Sequence, residues 1–208
     1  MHPDMRAIKV LRLLFLALLL ALPTATLARD RDIQVKAVKT GKVMAIDVDM
    51  TVNATLEEVW DVMTDWDNME KFIPSITSSE IMKREGNSYR VKQAGKIPLG
   101  PFSIKYEAVR DIEVVQVNES MRFQGVSGDF ERLEGAVKFA KEGEGTRVVY
   151  RAESVPTVWV PPFVGTSMVE HSTRSQFGEM RVEMLRRTSA KAAAKVAPAA
   201  PAASKQAP

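Results

Sequence analysis

The fold turns on MAIDVDMTVNATLEEVWDVMTD, residues 44–65. From Met44 to Val52 the apolar side chains take every second position. Met44, Ile46, Val48, Met50 and Val52 share one face, while Ala45, Asp47, Asp49 and Thr51 share the other, as in a half-buried antiparallel strand. After Asn53-Ala54 the period changes. Thr55 and Glu58 have the spacing of a capping box, in which a hydroxyl and a carboxylate each accept from an otherwise orphaned backbone N–H. Leu56, Val59, Trp60 and Met63 then recur at helical spacing. A strand therefore feeds directly into a short amphipathic helix that starts at Leu56 and ends near Asp65.

On the N-terminal side, Ile33 to Val38 pairs with this strand across a turn at Thr40-Gly41. On the other side, Trp66 to Phe72 reads as a second short helix stopped by Pro74. Alternating segments follow at Glu80–Arg84, Ser88–Ala94, Phe102–Arg110, Glu113–Val117, Ser120–Val126, Leu133–Lys141 and Thr146–Ser154. Turn-forming residues separate them, among them Glu85-Gly86-Asn87, Pro98-Leu99-Gly100-Pro101, Ser127-Gly128-Asp129 and Glu142-Gly143-Glu144-Gly145. Strands at this spacing, linked mostly by hairpins, predict one large antiparallel sheet. After the loop Pro156–Pro162, Thr166 to Arg187 sets Val169, Thr173, Gln176, Phe177, Met180 and Met184 on one helical face. That helix is expected to lie across the sheet, because an apolar sheet face needs a cover. The predicted class is α+β.

Both ends of the chain stand apart from this domain. Arg6, Lys9 and Arg12 precede the apolar run Leu13–Leu22, then Pro23 and the small residues up to Ala28, the order of a secretory signal peptide. Ten apolar residues in a helix reach about 15 Å, half of a bilayer's hydrocarbon core. Residues 1–28 are read as a cleaved leader, 29–188 as the folded domain, and 189–208, built of Ala, Pro, Lys, Ser, Gln and one Val, as a disordered tail, in which Ala190–Val196 can prolong the preceding helix and Pro198 and Pro201 forbid much more of it. The chain of 208 residues carries a net charge of +3. Residues 29–185 hold 21 bases and 25 acids, so the domain is mildly acidic between a cationic leader and a cationic tail, and nucleic acid is not an expected partner. With no cysteine, disulfide scaffolds, thiolate metal sites and cysteine nucleophiles are excluded. A thiol-free chain suits an oxidising compartment, and the bacterial periplasm is the expected location.

The string Val52-x-Ala54, the run Glu58-Val59-Trp60-x-Val62-Met63-x-Asp65, Phe72-x-Pro74 and the late Gly145-Thr146-Arg147-Val148-Val149-Tyr150, in this order, resemble the START-like (SRPBCC) superfamily, in particular its polyketide cyclase/dehydrase and coenzyme-Q-binding branch. The resemblance covers about Gly41 to Arg187. It implies a helix-grip fold with an apolar ligand cavity under the C-terminal helix, and it transfers no catalytic residue. The histidine-rich metal site of ring-hydroxylating members cannot be built after the leader, where His171 is the only histidine. No cofactor is implied.

Alternation places Phe102, Ile104, Tyr106 and Ala108 together, as it does Met121, Phe123 and Gly125; Leu133, Gly135, Val137 and Phe139; and Val148, Tyr150 and Ala152. Aromatics can wall a pocket where Ala and Gly leave room, and they can equally interdigitate in a filled core. The resemblance favours the pocket. Its expected lining is Tyr106, Phe123, Phe139, Tyr150, Phe177 and Met180, with Gln93, Thr173 and Gln176 as polar contacts. The loop Val158–Gly165 concentrates bulky apolar residues, and Trp159 and Phe163 are expected at a portal that touches membrane transiently. These features read as a secreted, non-enzymatic binder of a hydrophobic small molecule such as a lipid, isoprenoid quinone or polyketide. The alternative on the same fold is an aromatase/cyclase-type enzyme moving protons through Tyr106, Tyr150, Glu153 or His171. A third reading makes the tail a docking element for envelope or partner.

Overall fold

In a computed structural model, residues 33–99, 102–157 and 165–196 are described. The strands are β1 (Ile33–Thr40), β2 (Val43–Val52), β3 (Ile76–Glu85), β4 (Ser88–Leu99), β5 (Phe102–Gln116), β6 (Ser120–Gly128), β7 (Phe130–Glu142) and β8 (Gly145–Pro156). Between β2 and β3 come α1 (Leu56–Met63), a 3-10 turn (Trp66–Asn68) and α2 (Met69–Phe72); after β8 comes α3 (Thr166–Val196). The strands form one antiparallel sheet in the order β1-β2-β8-β7-β6-β5-β4-β3. Because β2 and β3 lie far apart in that order, the short helices between them must cross the sheet's apolar face, and α3 covers the rest.

The junction at residues 52–58 is built as its sequence dictates. Thr55 N–H donates to Glu58 Oε2 (3.0 Å) and Glu58 N–H donates to Thr55 Oγ1 (3.3 Å), closing the capping box. The buried Thr146 hydroxyl donates to the Ala54 carbonyl (2.9 Å), so β8 holds the turn that starts the helix. Val59 and Val62 point into a core that also contains Val48, Met50, Val148 and Met184, all essentially inaccessible to water.

Two expectations about element boundaries are corrected. Phe102–Arg110 and Glu113–Val117 are read as two strands but form one, Phe102–Gln116, because Arg110, Asp111 and Ile112 stay paired with Val91, Arg90 and Tyr89 of β4; the irregularity is a register shift between Val109 and Arg110 against β6. The helix read over Thr166–Arg187 continues to Val196, the prolongation that Ala190–Val196 allows, so residues 189–196 of the predicted tail are helical. Ala-rich sequence propagates a helix once one is nucleated. Contacts with α1 also hold the extension: Thr188 donates to Glu58 (2.9 Å) and Lys191 reaches Asp61 (3.5 Å). The predicted leader, the portal residues Trp159 and Phe163, and the tail beyond Val196 lie outside the described residues.

Both sheet edges are tied down. On β1, Ala37 N–H donates to the Glu170 carboxylate of α3 (2.9 Å); on β3, Ile81 N–H donates to Asp67 (2.7 Å). These bonds occupy backbone donors that an edge would otherwise offer to another chain. The outer sheet face carries cross-strand ion pairs such as Arg90–Asp111 (2.7 Å), Arg122–Glu113 (2.7 Å) and Arg147–Asp49. Each is exposed and screened by solvent, so none adds much stability, yet together they keep this face wetted.

The ion cluster under α3 is different. Glu183 is buried and accepts from Arg186 (2.7 Å) and Arg187 (2.7 Å), while Arg187 also bonds Asp65 (2.7 Å) at the end of the α1 segment. The hydrogen bonds from Arg186, then those from Arg187, hold the Glu183 carboxyl down to about 2 from its usual 4.5 despite the opposing effect of burial. A depressed folded-state value stabilises the fold above the unfolded pKa, and this contribution is lost as pH falls through the folded one. Glu183→Gln is expected to lower the unfolding free energy at pH 7 by about 1–3 kcal/mol. In urea titrations the gap to wild type should shrink as pH drops from 4.5 towards 2. A pH-independent gap would show that the carboxylate's charge is not what pins the helix.

Candidate functional site

Sheet and helices do not meet everywhere. Between the apolar sheet face and α3 lies a cavity of about 830 Å³, walled by β4–β8, the β1–β2 hairpin, α3 and the segment from α1 to the start of β3. Its walls are mainly apolar, with Met63, Trp66 and Met69 on the short helices and Phe177 and Met180 on α3.

The structure brings together eight of the nine residues expected to line a pocket: Tyr106, Phe123, Tyr150, Phe177, Met180, Gln93, Thr173 and Gln176. Phe123 and Tyr150 stack with centroids 5.8 Å apart at 19°, and Tyr150 meets Phe177 edge-on at 5.4 Å. The ninth, Phe139, shares their sheet face but does not line the cavity. Trp60 of α1 packs edge-on against it at 5.3 Å, which makes it part of the solid core. Of the proposed proton-transfer residues, Glu153 pairs with Arg132 (2.8 Å) and His171 is exposed; neither lines the cavity.

The small residues play a different part from the one expected. Gly135 lies directly across from Phe123, and a Cβ there would come within 2.5 Å of that ring and 2.4 Å of the Arg151 carbonyl oxygen. Gly95 faces Tyr106 in the same way, its Cβ position 2.7 Å from the ring and from the hydroxyl. These glycines seat aromatic rings flat on the neighbouring strand, and the vacancy they leave is filled. The buried Ala108 and Ala152 are the small side chains that face the open space.

Polar groups enter at a few points. Gln93 donates to Ser79 Oγ (2.9 Å) and contacts Met69 Sδ (3.1 Å). Gln176 donates to Ser75 Oγ (3.0 Å) and hydrogen-bonds the Tyr106 hydroxyl, tying α3 to β5 and to the loop before β3. Burial pushes the Tyr106 and Tyr150 hydroxyls above the ordinary tyrosine value, partly opposed by the positive charge of Arg110, so both stay protonated.

Arg110 was not among the sequence candidates. It is nevertheless in phase with Ile104, Tyr106 and Ala108, and extending that alternation one step beyond Ala108 would have exposed it as a charged residue on an apolar face. Among the described residues no cluster of His, Cys, Asp or Glu could hold a metal ion.

The family described as polyketide cyclase / dehydrase and lipid transport matches residues 52–180. Comparison with curated proteins gives no match. Solved structures share the fold. TTHA0849 from Thermus thermophilus has a TM-score of 0.59 at 23% identity, covering 69% of this chain and 99% of its own. A STAR-related lipid transfer protein from Xanthomonas axonopodis gives 0.63 at 13%, covering 74% and 94%. The Zhui aromatase/cyclase from Streptomyces sp. R1128 gives 0.56 at 16%, covering 70% and 95%. At these identities the likeness is one of fold, here the helix grip.

Because its Cβ would meet a backbone oxygen as well as a ring, Gly135→Ala is expected to destabilise the protein by about 1–3 kcal/mol. Chemical denaturation checks this. An unchanged midpoint would mean that Phe123 is not seated on Gly135.

Proposed function

The chain belongs to the polyketide cyclase / dehydrase and lipid transport family, and on that premise we propose that it binds a hydrophobic small molecule of the lipid, isoprenoid-quinone or polyketide kind, acting as an exported carrier or sensor in the bacterial periplasm. The observation that carries the binding reading is the cavity of about 830 Å³ between the sheet and α3. Its size falls in the range of small-molecule sites, and apolar walls with a few convergent polar groups are their usual construction. Met63, Met69, Met121 and Met180 add flexible thioether walls that can fit more than one ligand shape.

Binding without catalysis is supported by where the titratable groups lie. Glu153 and His171, two of the sequence candidates for proton transfer, are off the cavity, and the tyrosines inside are held protonated by burial. Export is supported by Arg6, Lys9 and Arg12 ahead of the apolar run Leu13–Leu22, and by a chain without thiols. Contact with a membrane during ligand entry is supported by the bulky apolar Trp159 and Phe163 in the sequence that precedes α3.

Organic extraction of protein purified from its host is expected to release an apolar molecule in near-stoichiometric amount. Ala108→Phe, which fills space in the cavity, should weaken binding of N-phenyl-1-naphthylamine by about tenfold or more while far-UV circular dichroism stays native. Full probe affinity in this folded variant would refute the cavity as the binding site. Cell fractionation should recover a processed chain beginning at Arg29 in the periplasm; an unprocessed cytoplasmic chain would refute export.

A further inference from the structure

Arg110 has no task in a purely apolar pocket. Its guanidinium lies 5.4 Å from the centroid of the Phe123 ring, and one terminal nitrogen donates to Oε1 of Gln93, whose own amide is held by Ser79. Its Nε is buried and has no hydrogen-bond partner. A guanidinium remains ionised at every pH at which the protein is folded. The amide it contacts is neutral. Glu131 is the only carboxylate among the described residues lining the cavity; it is exposed, and Arg110 forms no ion pair with it. Arg110 is half-buried, and a charge partly withdrawn from water that faces neutral partners, with its Nε unpartnered, is placed to receive a counter-charge from a ligand.

Two further hydroxyls line the same cavity. Arg110 is close enough to Tyr106 and Tyr150 for its charge to act on both hydroxyls, and both are protonated. The inner cavity thus presents a fixed cation and hydroxyl donors without an anion. Along β5, Arg110 stands about 20 Å from Ile104, room for an extended hydrocarbon chain beside the apolar walls.

Resting on the binding reading above, we propose that this end of the cavity is a carboxylate subsite. The ligand is an amphiphile whose carboxylate accepts from Arg110, Nε included, and from the Tyr150 hydroxyl, while its apolar body lies against Phe177 and Met180. A neutral carbonyl would satisfy Nε and leave the charge uncompensated. A phosphate monoester would bring more negative charge than this guanidinium balances, since Lys39 and Lys42, the other cations lining the cavity, are exposed to solvent. A single carboxylate matches both the charge and the planar fork of the donor.

The test compares cis-parinaric acid with its methyl ester, read at pH 8 by energy transfer from Trp66 and the other tryptophans. Wild type is expected to bind the acid at least about tenfold more tightly than the ester. Arg110→Met should bind both alike, and Arg110→Lys should keep part of the preference. Equal binding of acid and ester by wild type would overturn the proposal without any variant, as would an acid preference that survives in folded Arg110→Met. Failure of wild type to bind either probe would overturn the hydrophobic-ligand reading itself, and this proposal with it. Ester binding without acid preference would overturn only the carboxylate subsite.

Discussion

An antiparallel sheet with one apolar face is unstable in water until that face is covered, and this constraint organises the molecule. The sheet is eight strands wide, and its cover is one long helix and two short ones. Where Trp60 meets Phe139 the cover fits and the interior is solid. Where α3 spans β5–β8 the space is wider than its side chains fill, and the cavity is what remains. A cover over an incompletely filled space forgoes packing, so it has to be held by directional bonds. Those bonds sit along α3: Glu170 on the β1 edge, Gln176 on Ser75, and Glu183 with Arg187 on Asp65.

The interior divides accordingly. One part, near the capping box, is a conventional core of Val48, Val59, Val62 and Val148. The other combines aromatic rings, thioethers and a small set of polar groups. The glycines belong to this second part as supports for rings. With Gly135 beneath Phe123 and Gly95 beneath Tyr106, the rings lie close to the sheet, and open volume is left above them. The same sheet that provides these seats also carries Arg110, so the shape of the cavity and its charge arise from neighbouring strands.

Much of the fold is legible locally. The change of period at Asn53-Ala54, the Thr55/Glu58 box and the alternating segments report element types because each depends on neighbours a few residues away. The candidate lining was legible for the same reason, since residues two apart on a strand share a face. Phe139 obeyed that rule and still fell outside the cavity, because which helix covers which part of a face depends on packing between distant segments. Arg110 falls at the end of the segment Phe102–Arg110, one step past the apolar row that stops at Ala108, and a charged side chain at a strand end reads as solvent-facing.

Taken by itself, the amino-acid sequence determined the order and type of the elements, the face each strand buries, and a thiol-free chain with charged ends and a mildly acidic middle. These follow from short-range periodicity and composition. Only the tertiary structure decided that the apolar face encloses open space, that Gly135 and Gly95 are occupied by rings, and that an arginine stands within apolar walls. Those are matters of cross-strand register and of the distance between sheet and cover, and residues far apart in the chain set both.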